Sequence, residues 1–321
     1  MDRAQQLVTI FGGSGFVGTQ IVQELARRGH RIRVAVRRPG LAGRTQPLGG
    51  VGQIVPIQAN LRDAASVARA VAGADIVINL VGIGFESGRQ RFRAVHVEGA
   101  RNVAEAARAA GATALVHMSA LGADSGSSSL YARSKAEGEA AVLAAFPAAV
   151  IMRPSLIFGP GDGFFNRMGS LARLLPALPL IGGDTRFQPV YVGDVAEAFA
   201  AAAESRVKTG RIYELGGPEV LTHRELLQHI LRETGRNRML LPLSPGIAKL
   251  LAAPFALLPF APPLTGDQVE MLQHDNIVSD TAQREKRTLA AFGIEPVAMG
   301  AVLPSYMWRF RKHGQFDRAA A

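Results

Sequence analysis

The chain has 321 residues, 48% of them hydrophobic and 19% charged, with 35 Gly, 18 Pro, no Cys and a formal net charge of +10. That apolar fraction excludes an intrinsically disordered chain, and the length admits one large α/β domain or one domain with a smaller appendage. The lack of Cys excludes a disulfide scaffold, a thiolate zinc site, an iron–sulfur cluster and thiol catalysis, while the basic balance leaves nucleic acid, a phosphate-bearing cofactor, an anionic membrane and an acidic partner open.

The first half alternates strand and helix signals, the pattern of a parallel sheet covered on both faces. Residues 7–11 (LVTIF) read as a buried strand, followed by a Gly-rich turn and a helix over 16–28 that stops at Gly29. Strands are predicted over 31–36 and 52–58, a helix over 63–72 ended by Gly73, and a fourth strand over 75–81. A helix over 91–110, a strand over 114–118, a helix over 129–145 and a strand over 150–153 follow. Beyond them come an Ala-rich helix over 194–204, a strand over 211–215, and Thr222 with Glu225 as a capping box opening a helix. Residues 235–321 are rich in Pro and Leu, end in an aromatic, basic tail, and carry no clear period.

The sharpest motif, Gly12-Gly13-Ser14-Gly15-Phe16-Val17-Gly18, lies between the first strand and the first helix. Glycines at 12, 15 and 18 suit a dinucleotide: the first permits the tight turn and the second lets the backbone approach a pyrophosphate. The third lets the helix pack closely on the strand, and the helix N-terminus offers free N–H groups to the anion. At the end of the second strand, where NAD sites usually present Asp or Glu, this chain has Arg37-Arg38. A guanidinium binds a 2′-phosphate through forked, charge-assisted bonds, so NADPH is favoured over NADH. Asn60 and Leu61 after the third strand are expected to pass the adenine, and Val81 and Gly82 after the fourth to pass the ribose.

Tyr131 and Lys135 form a YxxxK pair at the start of the helix after the fifth strand, and the spacing puts both on one helical face. A nearby ammonium lowers a phenol pKa, so Tyr131 can exchange a proton with a substrate oxygen while a nicotinamide exchanges hydride. With these motifs the chain resembles the short-chain dehydrogenase/reductase superfamily, in its extended or atypical branch, over residues 7–218. The segment Arg153-Pro154-Ser155-Leu156-Ile157-Phe158-Gly159-Pro160 shares in the resemblance, which implies that Pro154, Ser155 and Ile157 approach the nicotinamide. Active members of that family carry a catalytic hydroxyl beyond the fifth strand. Here the segment is His117-Met118-Ser119-Ala120, which puts Ala120 in the hydroxyl's position and leaves Ser119 as its neighbour, with a residual or structural role.

Residues 90–103, 127–139 and 264–272 look like one subfamily, that of the dehydrogenase-like, NADPH-binding accessory subunit of respiratory complex I and its bacterial relatives. That resemblance implies a tightly held, chiefly structural nucleotide, complex I partners near the quinone site, and a peripheral place on the cytoplasmic face of a bacterial inner membrane. The alternative is a working reductase or epimerase using Tyr131 and Lys135 on a quinone precursor, an isoprenoid or a nucleotide sugar. The expected architecture is α/β, a Rossmann-type doubly wound parallel sheet from 1–155 and 188–216. A smaller C-terminal domain from 156–187 and 217–321 is expected to close over the nicotinamide end.

The remaining charge and the apolar tail are read more coarsely. Arg27, Arg28, Arg31, Arg33, Arg37, Arg38 and Arg44 crowd one stretch without an acid, but no recognition helix or stacking platform accompanies them, so no nucleic-acid partner is predicted. The longest apolar run, 250–264, is shorter than the ~20 residues of a membrane span and is broken by four prolines. With Tyr306-Met307-Trp308-Arg309-Phe310-Arg311-Lys312 it suits an anionic lipid surface, or else the core of the smaller domain. The polar first residues fit neither a signal peptide nor a transit peptide, and no histidine has metal-ligand spacing.

Overall fold

The computed structural model describes residues 5–252 and 264–312. They divide into two compact units: residues 5–154, 193–215 and 279–295 belong to the first, and residues 155–192, 216–252, 264–278 and 296–312 to the second. In the first unit β1 (Leu7–Phe11) leads through the Gly-rich turn into α1 (Phe16–Arg27), then β2 (Arg31–Val36), β3 (Ile54–Gln58), α2 (Ala64–Val71) and β4 (Ile76–Asn79). A π-helical stretch, Arg93–Glu98, runs directly into α3 (Gly99–Ala109), followed by β5 (Ala114–Met118), α4 (Leu130–Ala145) and β6 (Val150–Pro154).

The second unit begins with β7 (Ile157–Phe158), α5 (Phe164–Leu174), β8 (Ala177–Ile181), β9 (Arg186–Phe187) and β10 (Val190–Tyr191). The chain then returns to the first unit through α6 (Val192–Ala203) and β11 (Ile212–Leu215), and goes back through β12 (Leu221–Thr222), α7 (His223–Glu233), β13 (Met239–Leu243) and α8 (Pro245–Ala252).

The large sheet has the order β3-β2-β1-β4-β5-β6-β11, with every neighbouring pair parallel. From β1 the chain works outward to β3, then crosses back to β4 on the other side, so the strand order reverses between β1 and β4. In open α/β sheets the crevice beyond the carboxyl ends at such a reversal is where ligands bind. The strands read as near-continuous apolar runs because both faces are covered: β4 is buried at all four positions. Thr9, the polar exception in β1, is fully buried and donates from Oγ1 to the Ala70 carbonyl at 3.2 Å.

One face is sealed by α2, α3 and α4, whose Val67, Val103, Ala104, Ala107 and Val142 pack on Phe11, Leu115 and Ile151. Each large side chain fully withdrawn from water contributes about 1.5–3 kcal/mol to that layer. Small alanines let the helices sit close to the sheet.

In the second unit Phe158, Phe165, Leu226, Leu227, Ile230, Tyr306, Met307 and Phe310 form the core. Thr222 caps α7 with the predicted box: Glu225 N donates to its Oγ1, and its own N–H donates to the Glu225 carboxylate at 2.7 Å. Ser279–Glu295, expected in the smaller domain, instead packs on β11 in the first unit. Ser279 N donates to Glu214 at 2.7 Å, Glu214 N to the Arg287 carbonyl at 2.9 Å, and the rings of Tyr213 and Phe292 meet at 5.0 Å. The run 250–264 lies mostly outside the described residues, as does the chain beyond 312. Among the described residues no helix is long and apolar enough to cross a membrane, and no group of three or more His, Asp or Glu could hold a metal.

Candidate dinucleotide site

The Gly-rich turn shows in its backbone why these positions carry no side chain. Gly12 has φ +81°, a left-handed conformation that favours glycine. A Cβ on Gly18 would stand 2.3 Å from the Gly12 carbonyl oxygen and 2.7 Å from Gly13 Cα, so the first turn of α1 rests directly on the turn backbone. Gly15, the N-cap of α1, is exposed and contributes no side-chain cap, and a Cβ there would meet only the Gly12 oxygen at 3.3 Å. The helix therefore presents its first N–H groups beside an open backbone, the arrangement that accepts a pyrophosphate. Phe16 and Val17 begin that turn, Val17 buried beneath it.

Across the strand-order reversal, Val81 lies where a Cβ on Gly12 would touch it at 3.2 Å, and Gly82 follows next to His96 Nε2. Arg37 and Arg38 are exposed past β2, Arg37 donating to the Gln90 side-chain oxygen at 2.9 Å. Asn60 sits in the turn after β3, its side-chain oxygen accepting from Arg62 N. Leu61 turns its side chain into the core, so only its backbone faces outward chemistry; Asn102 Nδ2 donates to its carbonyl at 2.8 Å.

Beyond β5 the polar groups are deeply placed. Ser119 is 4% exposed, and its Oγ is one of two buried side-chain polar atoms that lack a hydrogen-bond partner among the described residues. Lys135, equally buried, donates from Nζ to the Met118 carbonyl at 2.7 Å. Burial lowers its pKa from 10.5 to about 8, with Glu139 pulling the other way. Glu139 is held in turn by a forked pair from Arg153, at 2.8 and 2.6 Å.

Two buried imidazoles flank this group, and sequence reasoning missed both. His117 accepts at Nδ1 from Asn79 Nδ2 at 3.1 Å, and burial first, then the Lys135 ammonium, holds its pKa well below the ordinary value. His96 has its pKa lowered to about 3 by the same two causes in the same order. Tyr131 makes edge contacts with the rings of Phe92 and His96, at 5.9 and 5.5 Å.

Arg44 is a further residue the sequence did not single out: its Nη2 donates to the Ser14 carbonyl at 2.7 Å, inside the Gly-rich turn. Pro154 ends β6 in the first unit, whereas Ser155 and Ile157 belong to the second. There the Ser155 hydroxyl contacts the Asn276 carbonyl at 2.9 Å and its side-chain oxygen at 2.7 Å.

The cradle at Gly12–Gly18, closed to any Cβ at position 18, and the orphaned hydroxyl at the end of β5 fit a dinucleotide laid over the strand-order reversal. Fold and site thus define a Rossmann-type dinucleotide-binding protein. Residues 8–216 match the NAD dependent epimerase/dehydratase family, and the chain belongs to it, within the atypical short-chain dehydrogenase/reductases. It is 38% identical over 291 residues to the NADH dehydrogenase [ubiquinone] 1 alpha subcomplex subunit 9 of Arabidopsis thaliana, covering 86% of this chain and 72% of that protein. Against the same subunit of Rattus norvegicus it is 32% identical over 296 residues, covering 91% and 77%. The fold of an NADPH-dependent quinone oxidoreductase from Escherichia coli, solved with NADPH, is similar at a TM-score of 0.71 and 19% identity, over 94% of this chain and 98% of that one.

Proposed function

We propose that this protein is an NADPH-binding, dehydrogenase-like accessory subunit of respiratory complex I, or a factor of quinone metabolism, whose nucleotide is chiefly structural. The observation that carries the reading is the likeness, over most of both chains, to complex I subunits of plant and rat. In this reading Gly12–Gly18 hold the pyrophosphate on the N–H groups of α1, and Arg37 and Arg38 hold the 2′-phosphate. Asn60 and Leu61 border the adenine, Val81 and Gly82 the ribose, and Ser119, Tyr131, Lys135 and Pro154 the nicotinamide end. The bound nicotinamide would supply hydride chemistry. Ala120, lacking the hydroxyl that active relatives use to polarise a substrate oxygen, supports a site that holds its nucleotide without turning it over.

The proposed location is the cytoplasmic face of a bacterial inner membrane, peripherally attached, with anionic lipid as a second partner. Support comes from the second unit, which exposes the large apolar side chains of Leu174, Leu175, Met239, Leu241, Ile247, Leu250 and Leu251. A second reading, an active NADPH-dependent reductase or epimerase acting on a quinone precursor, isoprenoid or nucleotide sugar, is favoured by one observation. Lys135, with a pKa of about 8, is poised to exchange a proton near neutrality beside Tyr131.

Purification from native membranes separates the two. Stoichiometric NADPH fluorescence that survives gel filtration, no oxidation by added quinones, and complex I subunits in the same fraction are the expected results. Steady NADPH consumption by purified protein would establish the second reading instead, and absence of bound or bindable NADP(H) would defeat both.

A further inference from the structure

We propose that His96 is the positioning residue of this site, a neutral imidazole that bridges the segment after β4 to the first turn of α4 and so fixes Tyr131 relative to Lys135. The inference rests on the reading that Tyr131 and Lys135 line the nucleotide site.

The bridge is a chain of hydrogen bonds running one way. Ile83 N donates to His96 Nε2 at 3.0 Å, so the ring proton sits on Nδ1, which donates to Ser134 Oγ at 2.8 Å. Ser134 Oγ then donates to the Tyr131 carbonyl at 2.8 Å. Protonating the imidazole would remove the lone pair that receives Ile83. Burial and the Lys135 ammonium prevent this by holding its pKa at about 3. His96 is therefore neutral near pH 7, in the tautomer that the Ile83 N–H selects.

The rings repeat the connection. Phe92 stacks on His96 at 5.4 Å, and both present faces or edges to Tyr131. The backbone is shaped to bring these groups together. His96 lies in the π-helical stretch, a rare conformation that is frequent at functional sites, and α4 meets that stretch so closely that a Cβ on Gly138 would stand 2.2 Å from the His96 carbonyl oxygen. Any buried imidazole needs partners for its two nitrogens; what sets His96 apart is that its partners link Ile83 to the Tyr131 carbonyl through Ser134.

The charged and titratable groups on the elements and loops that adjoin this site, in direct contact with it or linked to it through Arg153, come from several places in the chain. They are Arg133 and Glu139 on α4, His117 on β5, Arg153 on β6, Glu214 on β11, Asp124 in the loop after β5, and Glu86 ahead of the π-helical stretch. Glu139 is engaged by Arg153, whose Nη1 also lies 3.8 Å from Glu214, and Glu86 accepts from Phe92 N at 2.7 Å.

The phenol's ionisation reports the geometry directly. The chain has 4 tyrosines, so protein labelled with 3-fluorotyrosine gives few fluorine resonances, and loss of one in Tyr131→Phe assigns it. Titrating that resonance yields the Tyr131 midpoint. Lys135→Met is expected to raise the midpoint, because the ammonium that stabilises the phenolate, and is itself kept protonated by it, is gone. His96→Phe keeps the ring but neither hydrogen bond, and is expected to raise it by at least about half a pH unit. Ser134→Ala is expected to give a smaller rise, and His96→Asn, which restores a donor toward Ser134, to recover most of the loss.

A ring that only fills space would change the melting temperature and the chemical shift without moving the midpoint. An unmoved midpoint in His96→Phe, with Lys135→Met shifted, overturns the inference. An unmoved midpoint in Lys135→Met overturns the underlying pairing of Tyr131 with Lys135. Should His96→Phe fail to fold, Ser134→Ala, the loss of a single oxygen, decides in the same way: a midpoint equal to wild type overturns the bridge.

Discussion

Replacing Gly18 and Gly15 by Ala separates the architecture of the turn from its chemistry. At position 18 the new methyl would lie 2.3, 2.7 and 2.8 Å from three backbone atoms of Gly12 and Gly13. Backbone cannot rotate aside as a side chain does, so α1 must lift from the turn by about 1 Å to restore van der Waals contact. Overpacking of this kind costs about 1–3 kcal/mol, and rigid neighbours put the cost at the upper end. Alanine's better helix propensity returns about 1 kcal/mol. The balance, about 2 kcal/mol, corresponds to a fall in Tm of roughly 4–8 °C for a unit of this size.

At position 15 the methyl meets one oxygen at 3.3 Å and otherwise open space, and stability should change by less than about 0.5 kcal/mol. A methyl there does obstruct an anion seated on the first N–H groups of α1, and NADPH affinity should drop at least about tenfold. Thermal denaturation without nucleotide and fluorescence titration with NADPH measure the two effects. If Gly15→Ala binds NADPH as wild type does, the pyrophosphate does not sit where this turn offers its N–H groups. If Gly18→Ala melts with wild type, the close contact of α1 with the turn is not rigid.

Other expectations follow from the buried polar groups. From about pH 8 Lys135 begins to lose its proton in the folded protein, while in the unfolded chain it stays charged up to about 10.5, so the unfolded state binds more protons there and this group makes stability rise with pH. Lys135→Met removes a penalty on the order of 3 kcal/mol and should melt higher than wild type at pH 7, with the gap closing toward pH 10.5, while NADPH affinity falls; a gap independent of pH contradicts the shift. Tyr306→Phe deletes the O–H that donates to Asp162 Oδ2 at 2.6 Å in the second unit. Asp162 keeps N–H donors from Phe165, Asn166 and Gly159, so the cost should stay near 1–2 kcal/mol, read by urea denaturation, and a loss above about 4 would mean the carboxylate is stranded. Arg37, Arg38 and Arg44 have no ion-pair partner among the described residues, so added salt should weaken NADPH more steeply than NADH, and Arg37→Ala should narrow that difference; parallel salt curves would remove the 2′-phosphate from this edge.

The strands of the large sheet were legible because their cause is local. Burial on both faces forces apolar runs, and Gly29, Gly73 and Gly111, all at positive φ, stop the helices between them. The Gly-rich turn was legible for the same reason. The helix expected over 91–110 opens instead with a π-helical stretch, Arg93–Glu98, at the place where α4 approaches it through Gly138, a residue distant in sequence. No element is predicted over 39–48, yet these residues, with Pro39, Gly40, Gly43 and Pro47 among them, coil into 3-10 turns, from which Arg44 reaches Ser14. Two-residue strands such as β9 and β12 exist only through each other, and no window of sequence contains both. His96 and His117 sit among valines and leucines and look like core until their donors, Ile83 N and Asn79, arrive from other elements.

Those exceptions to apolar packing fall in one place. Elsewhere in the first unit the interior is built mainly from Val, Ile, Leu and Ala, and among the described residues its buried side-chain polar atoms are paired except His30 Nδ1. Past β4 and β5, by contrast, the chain buries an ammonium, leaves the Ser119 hydroxyl unpartnered, confines two imidazoles beside a cation and widens a helix by one π turn. Each of these opposes stability, and none is needed to close a sheet. Natural sequences keep such features where a ligand or a reaction uses them. A nucleotide held only by its pyrophosphate and adenosine would need the Gly-rich turn and the arginines, and nothing at all around Lys135. On the proposed reading of the site, the unfavourable groups near Lys135 make the nicotinamide end part of what the fold maintains, apart from any turnover.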